Sequence, residues 1–389
     1  MDLPKLPRRP LLTGLLAAPL VAAGCSSKKE PKPAPSTTTT ATTPAPPPKP
    51  AATGAGLPAD LLAVATALYV GGKVPSTGAV AAALGKRKPL GKSVTVGGSA
   101  GTWKGTRIAV LTQGKDVTLL TKDAAGWTVV GGWWPSLSVA RPPFPTMRVL
   151  AIGSDARSGQ PVEKCRGDAL HIIGVDAKGV GGIVGIPRDS WVTLSTGGTS
   201  KINAALVFGG AKGQAATVAR VAGVPIDGYV ITGFKGFRGM VSALGGITFV
   251  AKSSLKSVDG YQIVRPGSNH LNAKTALGLA RERKHLSNGD FGRSANQGLI
   301  IKAGMVMARK AGPGALPRLL TKMSPHLTSN LTPAQVLNLC SSLYLGDPAA
   351  VRNTVATGSV GTRSGQSVVL LGGAAHSIFS DMRDGRLNA

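Results

Sequence analysis

The apolar positions divide the chain into stretches of different period. Leu11–Ala23 is an apolar stretch of 13 residues, too short to cross a hydrocarbon core of ~30 Å. Ser26–Pro50 has no apolar periodicity and is rich in Pro, Thr and Lys, a composition that buries no core. Leu57–Leu84 carries Ala and Leu at helical spacing, interrupted at Gly71-Gly72. From Lys92 to Trp134 the period shortens. Ser93–Val96, Trp103–Leu111, Asp116–Thr121 and Gly126–Val130 are strand-like runs separated by turn residues. A small α+β accessory domain over 57–144 is expected, ending near Arg141-Pro142-Pro143. Its Trp127, Trp133 and Trp134 fit a core or interface better than a carbohydrate platform.

Beyond that boundary, Met147–Ile152, Ala169–Val175 and Gly182–Ile186 read as strands, followed by helical patterns at Gly213–Val221, Phe234–Leu244, Asn272–Arg281 and Phe291–Ala311. Asp176–Gly181 is short enough for a hairpin. If the first two strands are also antiparallel, Asp155, Asp168 and Arg188 fall along one edge of the sheet, where following loops present side chains to a cleft.

Composition adds a compartment and a class of partner. The 389-residue chain carries 45 Lys+Arg against 17 Asp+Glu, for a net charge of +28. Such a balance suits an anionic partner. With only 16% charged residues and no dense basic helix or aromatic-interleaved basic stripe, nucleic acid is not expected. Lys5, Arg8 and Arg9 precede the apolar stretch, and Ala22-Ala23-Gly24-Cys25 follows. Residues 1–24 therefore read as a secretory signal peptide, its end resembling a bacterial lipobox with Cys25 as the lipidated residue. Arg8-Arg9 also resembles a twin-arginine signal, so the export route stays open. Residues 25–56 become a tether reaching on the order of 90 Å when extended. The remaining Cys165 and Cys340 allow one disulfide or two separate thiols, and both stay open.

The candidate chemistry lies in three clusters. These are Gly153-Ser154-Asp155-Ala156-Arg157 with Arg166-Gly167-Asp168, Ile186-Pro187-Arg188-Asp189, and Arg281-Glu282-Arg283 with Asp290-Phe291-Gly292-Arg293 and Gln297. Arginine forks match phosphate oxygens, and one or two carboxylates hold magnesium on a substrate phosphate. Each cluster alone is an ordinary solvated face; together on one edge they predict a pyrophosphate site. Two features stand against it. Arg281 and Arg283 point ~200° apart on an ideal helix, so the helix must end near Arg281 for both to serve one site. Asp290, after Asn288-Gly289, could equally cap its helix.

From Met147 to Leu387 the chain resembles the LytR-CpsA-Psr family. The likeness is carried by Leu150–Arg157, Arg166–Asp168, Ile186–Asp189, Lys201–Ala205 with Phe208–Gly210, Val224–Asp227, Leu244–Gly246, Ala276–Arg283, and Asp290–Arg293 with Gln297. The resemblance implies a mixed β-sheet with helices on both faces, an α/β/α sandwich, and a polyprenyl chain buried between sheet and helices. Phe208, Ile231, Phe234, Phe237 and Met240 are candidates for that lining. It implies an extracytoplasmic Gram-positive (here actinobacterial) enzyme that moves a glycopolymer from a polyprenyl-pyrophosphate carrier onto peptidoglycan. Mg²⁺ would sit on Asp155 and Asp168. Arg157, Arg166, Arg188, Lys201, Asn203, Arg281, Arg283 and Arg293 would hold the pyrophosphate. Asp290 and Gln297 would support the site, with Asp189 or Asp290 as the base. A pyrophosphatase and a non-catalytic lipoprotein that binds wall polymer or prenyl lipid are the alternatives.

Overall fold

The structure is a computed structural model that describes residues 48–142 and 145–388. The expected signal peptide, Cys25 and the tether up to residue 47 lie outside the described residues. Residues from Lys49 onward form one compact unit, which begins earlier than the expected start at 57. Strand β1 (Ala52–Thr53) pairs in parallel with β2 (Val94–Thr95), and Ala52 is buried. Between them lie α1 (Ala59–Tyr69) and α2 (Gly78–Leu84), separated by the Gly71-Gly72 break. An antiparallel sheet follows, in the order β3 (Gly97–Trp103), β4 (Thr106–Gln113), β5 (Asp116–Asp123) and β6 (Gly126–Trp133).

The expected run Trp103–Leu111 spans a hairpin, with Lys104 at φ 47° in the turn. Gly97–Trp103 is a full strand despite its glycines. A Cβ on Gly101 would sit 2.6 Å from the Pro317 carbonyl and closer still to Thr321 Oγ1. Glycine is there because a helix from the far end of the chain packs directly on the strand.

The accessory sheet is buried on both faces. Ala109 and Leu111 pack with Leu61 and Leu68 of α1. Ile108 and Val110 pack with Met147, Val149, Leu320 and Leu337. The accessory and C-terminal regions therefore share a core.

The C-terminal region is built on β7 (Met147–Ser154), β8 (Gly167–Val175) and β9 (Gly181–Gly185), antiparallel neighbours joined by a long loop over 155–166 and a short link over 176–180. Next come the hairpin β10 (Trp191–Thr193) and β11 (Thr199–Lys201), then α3 (Ala204–Ala222), β12 (Gly228–Thr232) and α4 (Phe234–Ala243). Helix α3 starts nine residues before the expected Gly213. It is broken at Gly210 (φ 61°, ψ −166°), which hid its first turns from a periodicity reading. Four short strands follow: β13 (Ile247–Ala251), β14 (Leu255–Lys256), β15 (Gln262–Val264) and β16 (Gly267–Leu271). They lead to α5 (Ala273–Arg281), α6 (Gly289–Lys310), α7 (Leu316–Met323), β17 (Thr328–Ser329), α8 (Pro333–Ser341), β18 (Arg352–Val355), the hairpin β19 (Gly358–Arg363) and β20 (Gln366–Leu371), and α9 (Gly373–Asp381).

The central sheet runs β17-β12-β7-β8-β9-β18. The β12/β7 and β9/β18 pairs are parallel and the rest antiparallel, so the sheet is mixed as expected. Alternation along β7 assigns its two faces. Leu150 and Ile152 join Leu170, Ile172, Val184, Val218 of α3 and Phe379 of α9. Met147 and Val149 face the accessory sheet. Further along the same face, Ala151 and Gly153 line a cavity roofed by α4, α5 and α6.

Candidate active site

The cavity holds about 450 Å³ and has two chemically distinct ends. Its walls are apolar, with Val230, Phe234, Phe237, Met240, Leu277, Ile300 and Ile301. Its mouth carries Asp155, Arg157, Asp168, Arg188, Arg281, Arg283, Arg293 and Gln297. Of the lining expected from the sequence, Phe234, Phe237 and Met240 are present. Ile231 is buried on the opposite face of the sheet, and Phe208 is 66% exposed on the surface.

Asp168 reaches the cavity because the sheet is irregular beside it. Gly153 pairs with Ala169 but Ser154 pairs with Gly167, a register shift that leaves Asp168 as the extra residue of a β-bulge. In regular alternation Asp168 would share the face of Leu170; the bulge turns it to the other side. Burial pushes the Asp168 carboxyl above the usual range, Arg188 and Arg293 pull it down, and Asp155 pushes it up. Asp168 Oδ2 accepts from Arg188 Nη1, while its buried Oδ1 has no hydrogen-bond partner among the described residues.

Arg188 follows β9 and is the hub of the cluster. Its Nε lies 3.7 Å from Asp189 Oδ2 and 3.8 Å from Asp290 Oδ1. Burial opposes its charge, but Asp168, Asp189 and Asp290 outweigh burial and raise its pKa. Arg293, one turn into α6, places Nη2 2.5 Å from Asp290 Oδ1. The Nε atoms of Arg188 and Arg293 are buried with no hydrogen-bond partner. Two guanidinium N–H groups and the Asp168 Oδ1 are thus left without a hydrogen bond at the mouth of an apolar cavity, with Arg188 Nε still within ion-pair distance of Asp189 and Asp290.

Asp290 does not cap α6. Asn288 holds the N-cap position, and the Asp290 carboxylate sits between Arg188 and Arg293. Asp189 is likewise taken, by Lys201 Nζ at 3.0 Å and by Arg188. Neither lines the cavity; both stand behind the arginines. Three other expected phosphate contacts also fall outside the lining, for identifiable reasons. Arg166 is exposed and holds Asp155 through its backbone N–H, 2.8 Å from Oδ1. Lys201 is directed to Asp189. Asn203 ties strands together, its carbonyl accepting from Gly167 N (3.1 Å) and its N–H donating to the Arg188 carbonyl (3.2 Å). Gln297 lines the cavity but donates its amide to the Ala280 carbonyl at 2.8 Å, bracing the last turn of α5 against α6.

The Arg281–Arg283 conflict is resolved by the residue between them. Helix α5, capped by the Asn272 side chain, ends at Arg281, and Glu282 adopts φ −67°, ψ 130°. Glu282 is 5% exposed, and its carboxylate accepts from Lys284 N (2.8 Å) and His285 N (3.2 Å). Burial works against its charge, but these bonds hold its pKa below the usual range. The turn brings Arg283 back to the cavity beside Arg281, whose guanidinium lies 4.8 Å from the Phe234 ring. Glu282→Ala should loosen this turn and lower the rate at the site by about 100-fold, the cost of a misplacement of about 1 Å. Glu282→Gln retains an acceptor oxygen and should recover most of the loss in the same kinetic assay.

His171 was not singled out by its sequence context. It lies on β8, lines the cavity and is 1% exposed. Nε2 is 2.9 Å from the Ser294 carbonyl, so Nε2 carries the proton and donates. Its position, an odd-numbered place on β8 with Ala169, was the available signal. Burial pushes its pKa down to about 4, leaving the folded imidazole neutral where an unfolded one is charged. The unfolded chain then binds the extra proton between pH 6.5 and 4, so stability falls as pH falls through that window. Chemical denaturation should show a loss of roughly 3 kcal/mol from this group, absent in His171→Gln.

Cys165 and Cys340 are both free, so the bridge is not formed. Cys165 lies beside Gln160, while Cys340 packs into the core shared with the accessory sheet, where burial pushes its thiol up to about 12.

Comparison with known proteins places the chain by family and fold. The LytR_cpsA_psr family model matches residues 144–379, leaving the accessory region outside. The polyisoprenyl-teichoic acid–peptidoglycan teichoic acid transferase TagU of Bacillus anthracis is 32% identical over 198 residues, which is 49% of this chain and 62% of that protein. TagU of Bacillus subtilis is 38% identical over 156 residues, 40% of this chain and 49% of that protein. The matches thus span less than two thirds of these relatives. The crystal structure of Bacillus subtilis TagV aligns with a TM-score of 0.54 at 25% identity, covering 63% of this chain and 99% of that one.

Proposed function

The chain belongs to the LytR-CpsA-Psr family, and from that premise we propose that it transfers a glycopolymer from a polyprenyl-pyrophosphate carrier to peptidoglycan. The observation that carries this reading is the pairing of an apolar cavity with Arg188 and Arg293 at its mouth, whose buried Nε atoms make no hydrogen bond. Each buried CH₂ contributes about 0.8 kcal/mol, so the isoprenoid carbons that the apolar walls cover would anchor the donor. Tail binding acts equally on substrate and transition state and does not by itself accelerate the chemistry. The arginines do that by stabilising charge that develops on the phosphoryl and leaving oxygens.

In the reaction, an acceptor hydroxyl attacks the phosphorus bonded to the polymer. A P–O bond forms to the acceptor as the pyrophosphate bridge breaks, polyprenyl phosphate leaves, and the hydroxyl proton passes to solvent at the open mouth of the cavity. Arg188 and Arg293 would bind the bridging and leaving oxygens, Arg281 and Arg283 the outer oxygens, and Asp189 and Asp290 would hold the first two arginines in place. The bare Oδ1 of Asp168, with Asp155 on the same cavity, fits Mg²⁺. Among the described residues no group of three or more His, Cys, Asp or Glu side chains is placed to hold a metal, so Asp155 and Asp168 would bind the ion jointly with substrate phosphate. Bound there, Mg²⁺ would neutralise phosphate charge.

The apolar stretch Leu11–Ala23 before Gly24-Cys25 supports placing the enzyme outside the cytoplasm on a lipidated Cys25. The test is incubation of purified protein with lipid-linked wall polymer and peptidoglycan. Polymer covalently attached to peptidoglycan through a phosphodiester supports transfer. Release of phosphate or free polymer without attachment replaces it with hydrolysis, and binding without turnover replaces it with a non-catalytic role.

A further inference from the structure

We propose that the helical wall of the cavity, α4 to α7, docks on an anionic lipid bilayer, so that the cavity receives its lipid directly from the membrane. This rests on the reading above, in which the donor is carried by a lipid. Helix α7 packs on α4, α4 on α5 and α5 on α6. All four line the cavity, through Met323, Phe237, Leu277 and Ile301 respectively. Apart from Arg281, Asp290 and Arg293 in the site, every charged residue on these helices is Lys or Arg.

The cations lie outside the cavity lining. Phe234 and Phe237 of α4 line the cavity, while Lys235 and Arg238, three residues apart and so on one face, are exposed. Arg318 and Lys322 repeat the pattern at a spacing of four on α7, and both are exposed. On α6, Leu299 and Val306 are 39% and 40% exposed. They are seven residues apart, on one face of the helix, with Lys302 between them. Cations interspersed with exposed apolar side chains suit a headgroup layer, where the cations meet phosphates and the apolar groups reach the acyl boundary. A soluble polyanion would satisfy the cations alone and leave Leu299 and Val306 in water.

The test compares the full chain with its Lys235→Gln/Arg238→Gln/Lys322→Gln variant by cosedimentation with vesicles. One set is phosphatidylcholine and the other is one-third phosphatidylglycerol. The N-terminal apolar stretch is the same in both proteins, so their ratio reports the helices. The variant should partition onto the anionic vesicles roughly 100-fold less, at about fivefold per cation near the surface. On phosphatidylcholine the two should be equal, and added salt should erase the difference. Equal partitioning onto anionic vesicles overturns the proposal. So does a variant that binds vesicles like the parent but loses affinity for soluble polyphosphate, which would assign the face to polymer. In detergent, with a short-chain lipid-linked donor, both proteins should transfer at the same rate. If neither transfers, the functional reading fails while the vesicle comparison still decides the docking face.

Discussion

Arg188→Ala is expected to lower kcat/KM for polymer transfer by at least roughly 10³-fold, about 4 kcal/mol of transition-state stabilisation. Two losses combine. The first is the guanidinium whose Nε makes no hydrogen bond and which is placed to bind a phosphoryl oxygen. The second is electrostatic: Asp168, Asp189 and Asp290 all lie against Arg188, and without it their charge faces an anionic substrate. One missing donor costs about 10² to 10³, and added repulsion takes the total beyond that. Arg188→Lys restores the charge without the fork and should fall between. The side chain is only 19% exposed, and its loss leaves Asp168, Asp189 and Asp290 without their shared cation. The melting temperature should therefore fall as well, and the rate is compared at a temperature where the variant is folded. An alanine variant that keeps a tenth of the parent rate, measured as polymer attached to peptidoglycan, would remove Arg188 from the centre of the mechanism.

The edge that gathers this cluster was readable in the sequence because it needs only strand ends. Asp155, Asp168 and Arg188 sit at the borders of three alternating runs, and a hairpin-length link fixes the direction of the last two. What alternation could not supply was the β-bulge at Asp168. On a regular strand that carboxylate points into the opposite core, so a period-2 reading placed it on the correct edge without giving its face. The break after Arg281 was legible only as a requirement, since Glu282 looks like any surface acid until its carboxylate is seen on the two following backbone N–H groups. Asn203, Arg166 and Lys201 show the reverse error. The family resemblance implied ligand contacts for them, but Lys201 is ion-paired to Asp189, and Arg166 and Asn203 serve the site through their backbone groups, outside the cavity lining.

The same distinction explains the fold. The accessory strands were legible from their period, apart from Gly97–Trp103, whose glycines mimic a turn. That this sheet shares its core with the C-terminal region was not legible, because burial on both faces depends on contacts more than 200 residues apart, such as Trp103 Nε1 donating to the Leu331 carbonyl. The shared core has a functional consequence. Met147 and Val149, packed against the accessory sheet, lie on the same strand face as Ala151 and Gly153, which floor the cavity.

Asp168→Asn should have the second large effect, and its signature differs from that of Arg188→Ala. The substitution keeps the shape but removes the negative charge that holds Arg188 and would hold a cation through the partnerless Oδ1. Because burial lifts the Asp168 pKa, protons compete for this oxygen from a higher pH than at an ordinary aspartate. Metal binding should therefore weaken on acidification sooner than at a solvent-exposed site. Titration of Mg²⁺ into protein loaded with polyprenyl pyrophosphate should show the parent binding the ion and Asp168→Asn binding it roughly 100-fold more weakly, the scale of about 2.7 kcal/mol. Transfer should fall by roughly 10²- to 10³-fold, and extra Mg²⁺ should restore part of it. Arg188→Ala should not respond to extra Mg²⁺, since it lacks a donor and keeps the carboxylates. If Asp168→Asn bound Mg²⁺ like the parent, the metal assignment would fall. Asp168 would then serve only to orient Arg188, and Arg188→Ala and the double variant should lose activity equally.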